Sequence, residues 1–500
     1  MRALWCLVVL ACGLGRLSAG DALPLFETVG AELSGLDHKL NADPNLGRLE
    51  TPYLGPLVDL NGDGHADIHW YGHTSSGAAF FWGNGKGRFQ FCGEKYDTRW
   101  KFHAFSPLWW NVSGTDRLDA MSSWATQGFY VNDGSGKWTK ANACGFGLFV
   151  DADGSGKYES MWMRRQGMGA LNPKPDTWNG TMPEKVGWTL AWKAEDILGW
   201  PEGETRSPHP MAPAFEAAFS SDLNGDDRNE LIVTFRGSGL YAWVLERDPG
   251  AEGPAGWKDT TASRGLPVGK GHYFYPEDLN ADGRLDLLDL ANGEAYLNDG
   301  KGSFAKAPFR AFDASKRKGG APFDGDGRFE LLDLDNDGRR DLVLTSNHTM
   351  TSGIFLNRGD RFEEWAPDFP LQRVHVAFGD VDGDRALDVV HTQGNQLVLR
   401  RNRTPNAAVQ VQVRPKVTAI QQVGCKIWVY KAGTLGKPEG LLHYRQCFMD
   451  RFHTNDVVLD GKLHVGIGSE AAVDVRVRFP SGQVREAVGV AARSKVELQE

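Results

Sequence analysis

Four stretches of this 500-residue chain carry nearly the same acidic nonapeptide. They read DLNGDGHAD at 59–67, DLNADGRLD at 278–286, DLDNDGRRD at 333–341 and DVDGDRALD at 380–388. Looser copies stand at 151–159 (DADGSGKYE) and 222–230 (DLNGDDRNE), and a degraded one at 111–119 (NVSGTDRLD) keeps only Asp119 of the pattern. Positions 1, 3, 5 and 9 carry oxygen-bearing side chains. The first loop offers Asp59, Asn61, Asp63 and Asp67; the third, Asp151, Asp153, Ser155 and Glu159; the fourth, Asp222, Asn224, Asp226 and Glu230. The fifth offers Asp278, Asn280, Asp282 and Asp286; the sixth, Asp333, Asp335, Asp337 and Asp341; the seventh, Asp380, Asp382, Asp384 and Asp388. Side chains at odd positions of a tight loop converge on one centre, and the backbone carbonyl of position 7 adds a fifth oxygen. Such a hard-oxygen set suits calcium, whereas magnesium demands stricter octahedral geometry and fewer protein ligands.

An EF-hand begins the same way but needs a bidentate Glu at position 12 and flanking helices. Position 12 here is Trp70, Val233, Asp289, Leu344 or His391, and the flanks are aliphatic and strand-like. A plain turn is the other reading, because Asp, Asn and Gly favour turns on their own. Six crowded acidic copies would repel one another without a cation. Several structural Ca2+ ions are therefore expected, each tying two strands of one repeat. Gly at position 6 in four of the six loops lets the chain turn sharply.

The elements that position these loops must also repeat. The seven copies start 40–71 residues apart. Each is followed by aliphatic residues, and several units add a second signature: GNGKGRF at 83–89, NDGSGKW at 132–138, NDGKGSF at 298–304 and the shorter LNRGDRF at 356–362. One unit reads strand, acidic loop, strand, third strand, Gly-rich turn, aromatic, fourth strand. Four short strands repeated radially make the blade of a β-propeller, whereas β-solenoid repeats are about half as long. The expected fold is all-β: a seven-bladed β-propeller with calcium loops over 21–402, then a small antiparallel β domain over 403–500. Residues 21–58 should complete the first or last blade, and FDGDGRFE (323–330) reads as an inter-blade turn. Helical periodicity tempts only at AWKAEDILGW (191–200).

Hydrophobic residues make up 41% of the chain and charged ones 24%, enough for packed cores. The net charge of −9 argues against a nucleic-acid partner. MRALWCLVVLACGLGRLSAG reads as a signal peptide over 1–20, its apolar run too short to span a bilayer. A secreted or extracellular protein, periplasmic if bacterial, is expected, monomeric and with no transmembrane segment. Cys92, Cys144, Cys425 and Cys447 follow the cleavage point. GTLGKPEG places Cys425 and Cys447 opposite one another on a hairpin, where a disulfide is geometrically possible; Cys92–Cys144 follows by elimination. Asn111, Asn179, Asn347 and Asn402 head glycosylation triplets.

The loops and Gly-rich turns over about 50–402 resemble the FG-GAP/VCBS repeats of integrin α-chain propellers and of many secreted bacterial proteins. VGCKIWVY (423–430), HYRQ (443–446), LHVGIG (463–468) and VRVRFPSG (475–482) resemble the ASPIC/UnbV domain, which follows such propellers in proteins similar to cartilage acidic protein. This resemblance implies calcium binding and extracellular interaction. On its own pattern, 403–500 alternates apolar and polar residues in VQVQV, KIWVY, VDVRVRF and KVEL, with a junction at TPNAA (404–408).

Residues 160–215 break the repeat, and their Trp178, Trp188, Trp192 and Trp200 suit either blade packing or stacking on a ligand. RWKFHAFSPLWW (99–110) is a second aromatic knot. His65, His69 and His73 are spaced by four, but on strand and turn rather than a helix, which removes the argument for zinc. No hydrolase, zincin, P-loop or dinucleotide fingerprint is present. Arg99, His103, Arg164 and Arg165 suit a polysaccharide lyase or hydrolase no better than a solvated surface. Two functions stay open. One is a secreted calcium-stabilised binding or adhesion module for an extracellular protein or carbohydrate. The other is a secreted enzyme acting at the propeller mouth on a carbohydrate or small apolar metabolite.

Overall fold

The computed structural model describes residues 26–37, 52–72, 78–92, 215–236, 239–248, 256–316, 327–346, 352–367, 376–394, 396–414, 424–447 and 462–500, with short strands between 108 and 193 and a few single positions. It is nearly all β. Helix is confined, among the described residues, to one turn at Ala31–Ser34 and two 3-10 turns. The described residues of 26–402 form seven sheets. The fifth shows the unit most fully: Phe274–Glu277, the acidic loop, Asp286–Asp289, Glu294–Asn298, the Gly-rich turn, then Phe304–Arg310, all antiparallel neighbours. This is the order expected from the sequence.

The seventh sheet is completed from the other end of the chain. Phe26–Val29 pairs antiparallel with Gln396–Asn402, from Phe26 opposite Asn402 to Val29 opposite Leu399. The first sheet starts at Pro52–Leu54, so residues before the first loop contribute to both sheets. First and seventh sheets also share a core of Ile68, Trp70, Phe81, Val381, Val390 and Leu399. The third sheet departs from the pattern. Its strand Leu190–Lys193, which overlaps the start of the segment that tempted a helix, pairs parallel with Glu159–Trp162 across the long insertion. FDGDGRFE is not wholly a turn: Gly327–Leu332 is the first strand of the sixth sheet.

Position 2 of each described loop is an aliphatic plug: Leu60, Leu223, Leu279, Leu334 and Val381 are buried. Burying such a side chain contributes about 1.5–3 kcal/mol, so each loop is pinned to a core. An asparagine then latches sheet to sheet. Asn298 Nδ2 donates to the Leu223 carbonyl of the preceding unit (2.7 Å), Asn357 Nδ2 to that of Leu279 (3.0 Å) and Asn402 Nδ2 to that of Leu334 (2.7 Å). In the first unit Gly83 stands in the asparagine's place, and the backbone N–H of Gly87 donates to the Val381 carbonyl (2.9 Å). Asn402 is therefore a buried latch, 1% exposed, and not a glycan acceptor in the folded chain. Asn111, Asn179 and Asn347 lie outside the described residues.

Residues 407–499 form two further sheets around their own core of Val409, Val411, Ile427, Val465, Val475 and Val477. The antiparallel expectation needs one correction. Ala407–Arg414 pairs parallel with Lys495–Gln499, because the chain returns to that edge only at its end. The expected Cys425–Cys447 disulfide is also corrected: no disulfide joins them, and both are buried thiols. The Cys447 N–H donates to the Cys425 carbonyl, but Gly424, not Cys425, returns the bond to Cys447. The hairpin is thus irregular at this pair, and both thiols pack as apolar groups in the core. Cys92 is free, and Cys144 lies outside the described residues.

Asn402→Ala would strip the Leu334 and Leu387 carbonyls of their donor. Leaving buried acceptors unpaired costs about 1–3 kcal/mol each, so urea unfolding of this variant should show a loss of at least about 2 kcal/mol. A loss no larger than that of a surface substitution would contradict the latch.

Candidate metal centre

Within each described loop, position 1 closes the turn on itself. Asp59 Oδ1 accepts the Gly62 N–H and Oδ2 the Gly64 N–H, both at 2.7 Å. The fifth and sixth loops repeat this, with Asp278 accepting from Asp282 and Gly283, and Asp333 from Asp337 and Gly338. Positions 4 and 6 both take positive φ: 81° and 91° at Gly62 and Gly64, 59° and 83° at Ala281 and Gly283, 58° and 96° at Asn336 and Gly338. The sequence pointed to position 6 alone. Ala281 and Asn336 accept strain of about 1–2 kcal/mol to keep the turn.

Position 9 works differently from the others. Asp67 Oδ2 accepts the Leu60 N–H (2.8 Å) and its Oδ1 the Gly83 N–H (2.9 Å), so one buried carboxylate joins the acidic loop to the Gly-rich turn. Asp286 does the same with Leu279 and Asn298, Asp341 with Leu334 and Asn357, and Asp388 with Val381 and Asn402. All four are fully buried. Asp67 Oδ2 also accepts the Asn61 N–H at 3.2 Å, whereas each oxygen of Asp286, Asp341 and Asp388 has a second lone pair that an ion can use.

Among the described residues, three carboxylates converge in each of the last two loops. Asp333, Asp335 and Asp341 each place an oxygen within 4.8 Å of the others, and so do Asp380, Asp382 and Asp384. Two oxygens bound to one calcium lie at most about 5 Å apart, so both groups have the right span. In the first, fourth and fifth loops position 3 is Asn61, Asn224 or Asn280, which supplies an amide oxygen. Asp151, Asp153, Ser155 and the Glu159 side chain lie outside the described residues, as do Asn111 and the four insertion tryptophan side chains.

Charge supplies the test of fit. Around the sixth loop stand four carboxylates and two guanidiniums. Arg358 meets Asp335 at 2.5 Å and Asp337 at 3.6 Å, and Arg339 meets Asp337 at 2.6 Å. They fall short of neutralising the site. Burial first, then the neighbouring carboxylates, push Asp333 and Asp341 well above the usual carboxylate range. Burial and Asp335 bring Asp337 up to about 6. In the fifth loop burial, then Asp282, raises Asp286 to about 7, and burial holds Asp278 well up. Burial, then Asp382, does the same to Asp388, and burial acts likewise on Asp67. A divalent cation is what such excess negative charge accepts, and the hard-oxygen donor set fits calcium. Arg358 and Arg339 were not foreseen as partners; the LNRGDRF turn carries Arg358 in plain view, but only the fold brings it over the loop.

The sequence profile of the FG-GAP-like repeat family matches residues 333–391, which hold these last two loops. No curated protein matches the chain. Among solved structures, a lectin of Agrocybe aegerita described as recognising non-reducing terminal N-acetylglucosamine is 17% identical. The likeness covers 71% of this chain and 77% of that one, with a TM-score of 0.31. The Tc holotoxin pore of Photorhabdus luminescens is 14% identical over 76% of this chain and 14% of its own, with a TM-score of 0.35. A biofilm matrix protein of V. cholerae is 12% identical over 89% of this chain and 68% of its own, with a TM-score of 0.21. These scores are too low to carry a fold or a function across.

The raised carboxyls fix a sign for pH dependence. A group whose pKa is higher folded than unfolded stabilises fully below the unfolded value and loses that stability as pH rises through the folded one. Asp286 and Asp337, shifted from 3.8 to about 7 and about 6, set the window. With chelator present, stability should therefore fall between about pH 4 and pH 7; with millimolar calcium the fall should vanish. Chemical denaturation across that range reads both arms. The matched FG-GAP-like repeat spans the two loops in which, among the described residues, three carboxylates converge.

Proposed function

We propose that this is a secreted calcium-binding protein in which seven sheets close as a seven-bladed β-propeller acting as an extracellular binding or adhesion module. The observation that carries the reading is the buried, under-neutralised triad Asp333, Asp335 and Asp341 inside the matched repeat. The circular arrangement is supported by the Phe26–Val29 strand in the seventh sheet and by the Gly87 to Val381 bond between first and seventh units. Secretion rests on the signal-like first twenty residues; no helix among the described residues is long and apolar enough to cross a membrane. An FG-GAP-like repeat supports a binding module, so a carbohydrate or protein ligand is preferred and the enzyme alternative is not favoured. The C-terminal residues are read as an ASPIC/UnbV-like domain on the motifs quoted above. In this reading Asp333, Asp335, Asp337 and Asp341, and Asp380, Asp382, Asp384 and Asp388, hold one ion each. The ions tie strand to strand and perform no chemistry on a substrate.

The test is thermal unfolding of the mature protein in excess EDTA and in millimolar calcium, with bound ions counted by native mass spectrometry. Several bound calcium ions should accompany a large rise in melting temperature, because each site at a hundredfold excess over its Kd adds about 2.7 kcal/mol. No bound ion and no shift would reduce the loops to plain turns.

A further inference from the structure

The fourth loop, 222–230, departs from the pattern twice: Asp227 replaces the position-6 glycine and Glu230 replaces the position-9 aspartate. Both departures are used by basic side chains. Lys426 Nζ lies 2.5 Å from Asp222 Oδ2 and 3.3 Å from Asp227 Oδ1. Arg478 reaches the same Asp227 oxygen at 2.6 Å. The longer Glu230 meets Arg264 at 3.0 Å while its other oxygen accepts the Leu223 N–H. Asn224 turns its amide N–H to Glu230 (2.9 Å) and its carbonyl to the Asp226 N–H. Three cations thus face four carboxylates, against two and four at the sixth loop.

The supply of these cations is built into the C-terminal sheet. Lys426 stands directly opposite Gln446 on one neighbouring strand and opposite Arg478 on the other. One cross-strand row therefore presents all three side chains to the loop. Gln446 Oε1 accepts the Asp222 N–H (3.0 Å), and its Nε2 donates to Asn229 (2.9 Å). Lys426 is nearly enclosed, its side chain 13% exposed. The same domain meets the sixth loop without a cation: the Gly466 N–H donates to Asp333, and His464 Nε2 pairs with Asn336 Oδ1.

We propose that the Lys426 ammonium is the resident cation of loop 222–230, so that this loop takes no metal ion and is instead the socket that docks the C-terminal domain. The ammonium 2.5 Å from Asp222 takes that oxygen, as Arg385 takes Asp380 Oδ2 at 2.6 Å in the seventh loop, but among the described loops it is here that the position-9 group is ion-paired as well, Arg264 holding the Glu230 carboxylate that an ion would need to close its shell. A charge-assisted bond of this kind is among the stronger hydrogen bonds. The proposal rests on the calcium reading only for its contrast with the other loops.

The deciding experiment counts calcium ions by native mass spectrometry on the full chain as wild type, Asp226→Asn and Asp337→Asn. Asp226 is exposed and pairs only within its loop, so its variant should fold. The expected result is an unchanged count for Asp226→Asn and one ion fewer for Asp337→Asn. One ion fewer for Asp226→Asn overturns the proposal. Hydrogen exchange gives a reading that survives failure of the calcium reading itself. If the wild type binds no calcium, Lys426→Met should still lower amide protection across 222–230 by about tenfold, equivalent to about 1.4 kcal/mol. Unchanged protection there overturns the clamp.

Discussion

The first, fifth, sixth and seventh units each depend on one buried carboxylate: Asp67, Asp286, Asp341 and Asp388. At position 9 it accepts two backbone N–H groups, one from the acidic loop and one from the end of the third strand. Without it both would leave amides unpaired beside a packed core, a cost of about 1–3 kcal/mol each. Aspartate is short enough to be held rigidly and has two oxygens to share. Its cost is charge in a place with little water, which is why Asp67, Asp286, Asp341 and Asp388 all favour the protonated form in isolation. The acidic loop follows from that cost. On the proposed calcium reading, a cation shared by positions 1, 3, 5 and 9 would let the clamp remain ionised, so that the nonapeptide pairs a structural acceptor with the means of neutralising it.

The units are joined by polar latches as well as apolar packing. The latch asparagines donate twice at the same junction: the Asn357 N–H donates to Asp341, while its side-chain Nδ2 donates to the Leu279 carbonyl one unit back. Between the fifth and sixth units, buried Glu277 meets Arg340 at 2.6 Å, and Arg340 also donates to the Leu331 carbonyl. Breaking one partner of such a pair is strongly destabilising even where the intact pair adds little. The loop edge is therefore specified by hydrogen-bond geometry, while the shared cores supply most of the burial.

The parts legible in the sequence were those set by local chemistry. Asp–x–Asn–x–Asp–Gly announces a tight acidic turn whatever surrounds it, and VQVQV announces a strand with one buried face. Seven spaced copies therefore placed the strands around each described loop. What the sequence concealed was set by distant residues. Asn402 looked like the head of a glycosylation triplet because nothing local says that Leu334, about seventy residues earlier, needs its amide. Lys426 looked like an ordinary strand residue because its partner lies 204 positions away. Cys425 and Cys447 were placed opposite one another correctly, but a one-residue irregularity in the hairpin decides their pairing. The parallel edge strand Lys495–Gln499 was hidden for the same reason: alternation reveals a strand and not its neighbour.

The two ends of the chain constrain each other through the loops. Thr404 Oγ1 and Asn406 Nδ2 both donate to the Asp335 carbonyl at 2.9 Å, and the Gly466 N–H shares Asp333 Oδ2 with Gly338. A Cβ at Gly466 would lie 2.1 Å from that carboxylate oxygen, so only glycine lets the C-terminal sheet approach this closely. The sixth loop is thus sandwiched between its own sheet and the following domain. Any ion it holds stabilises the surface on which that domain rests. Ion binding and domain docking are then one equilibrium at this loop, while at loop 222–230 the protein's own cations make docking independent of the ion. On the proposed calcium reading, a chain arranged in this way would lose calcium and keep its C-terminal sheets attached through loop 222–230.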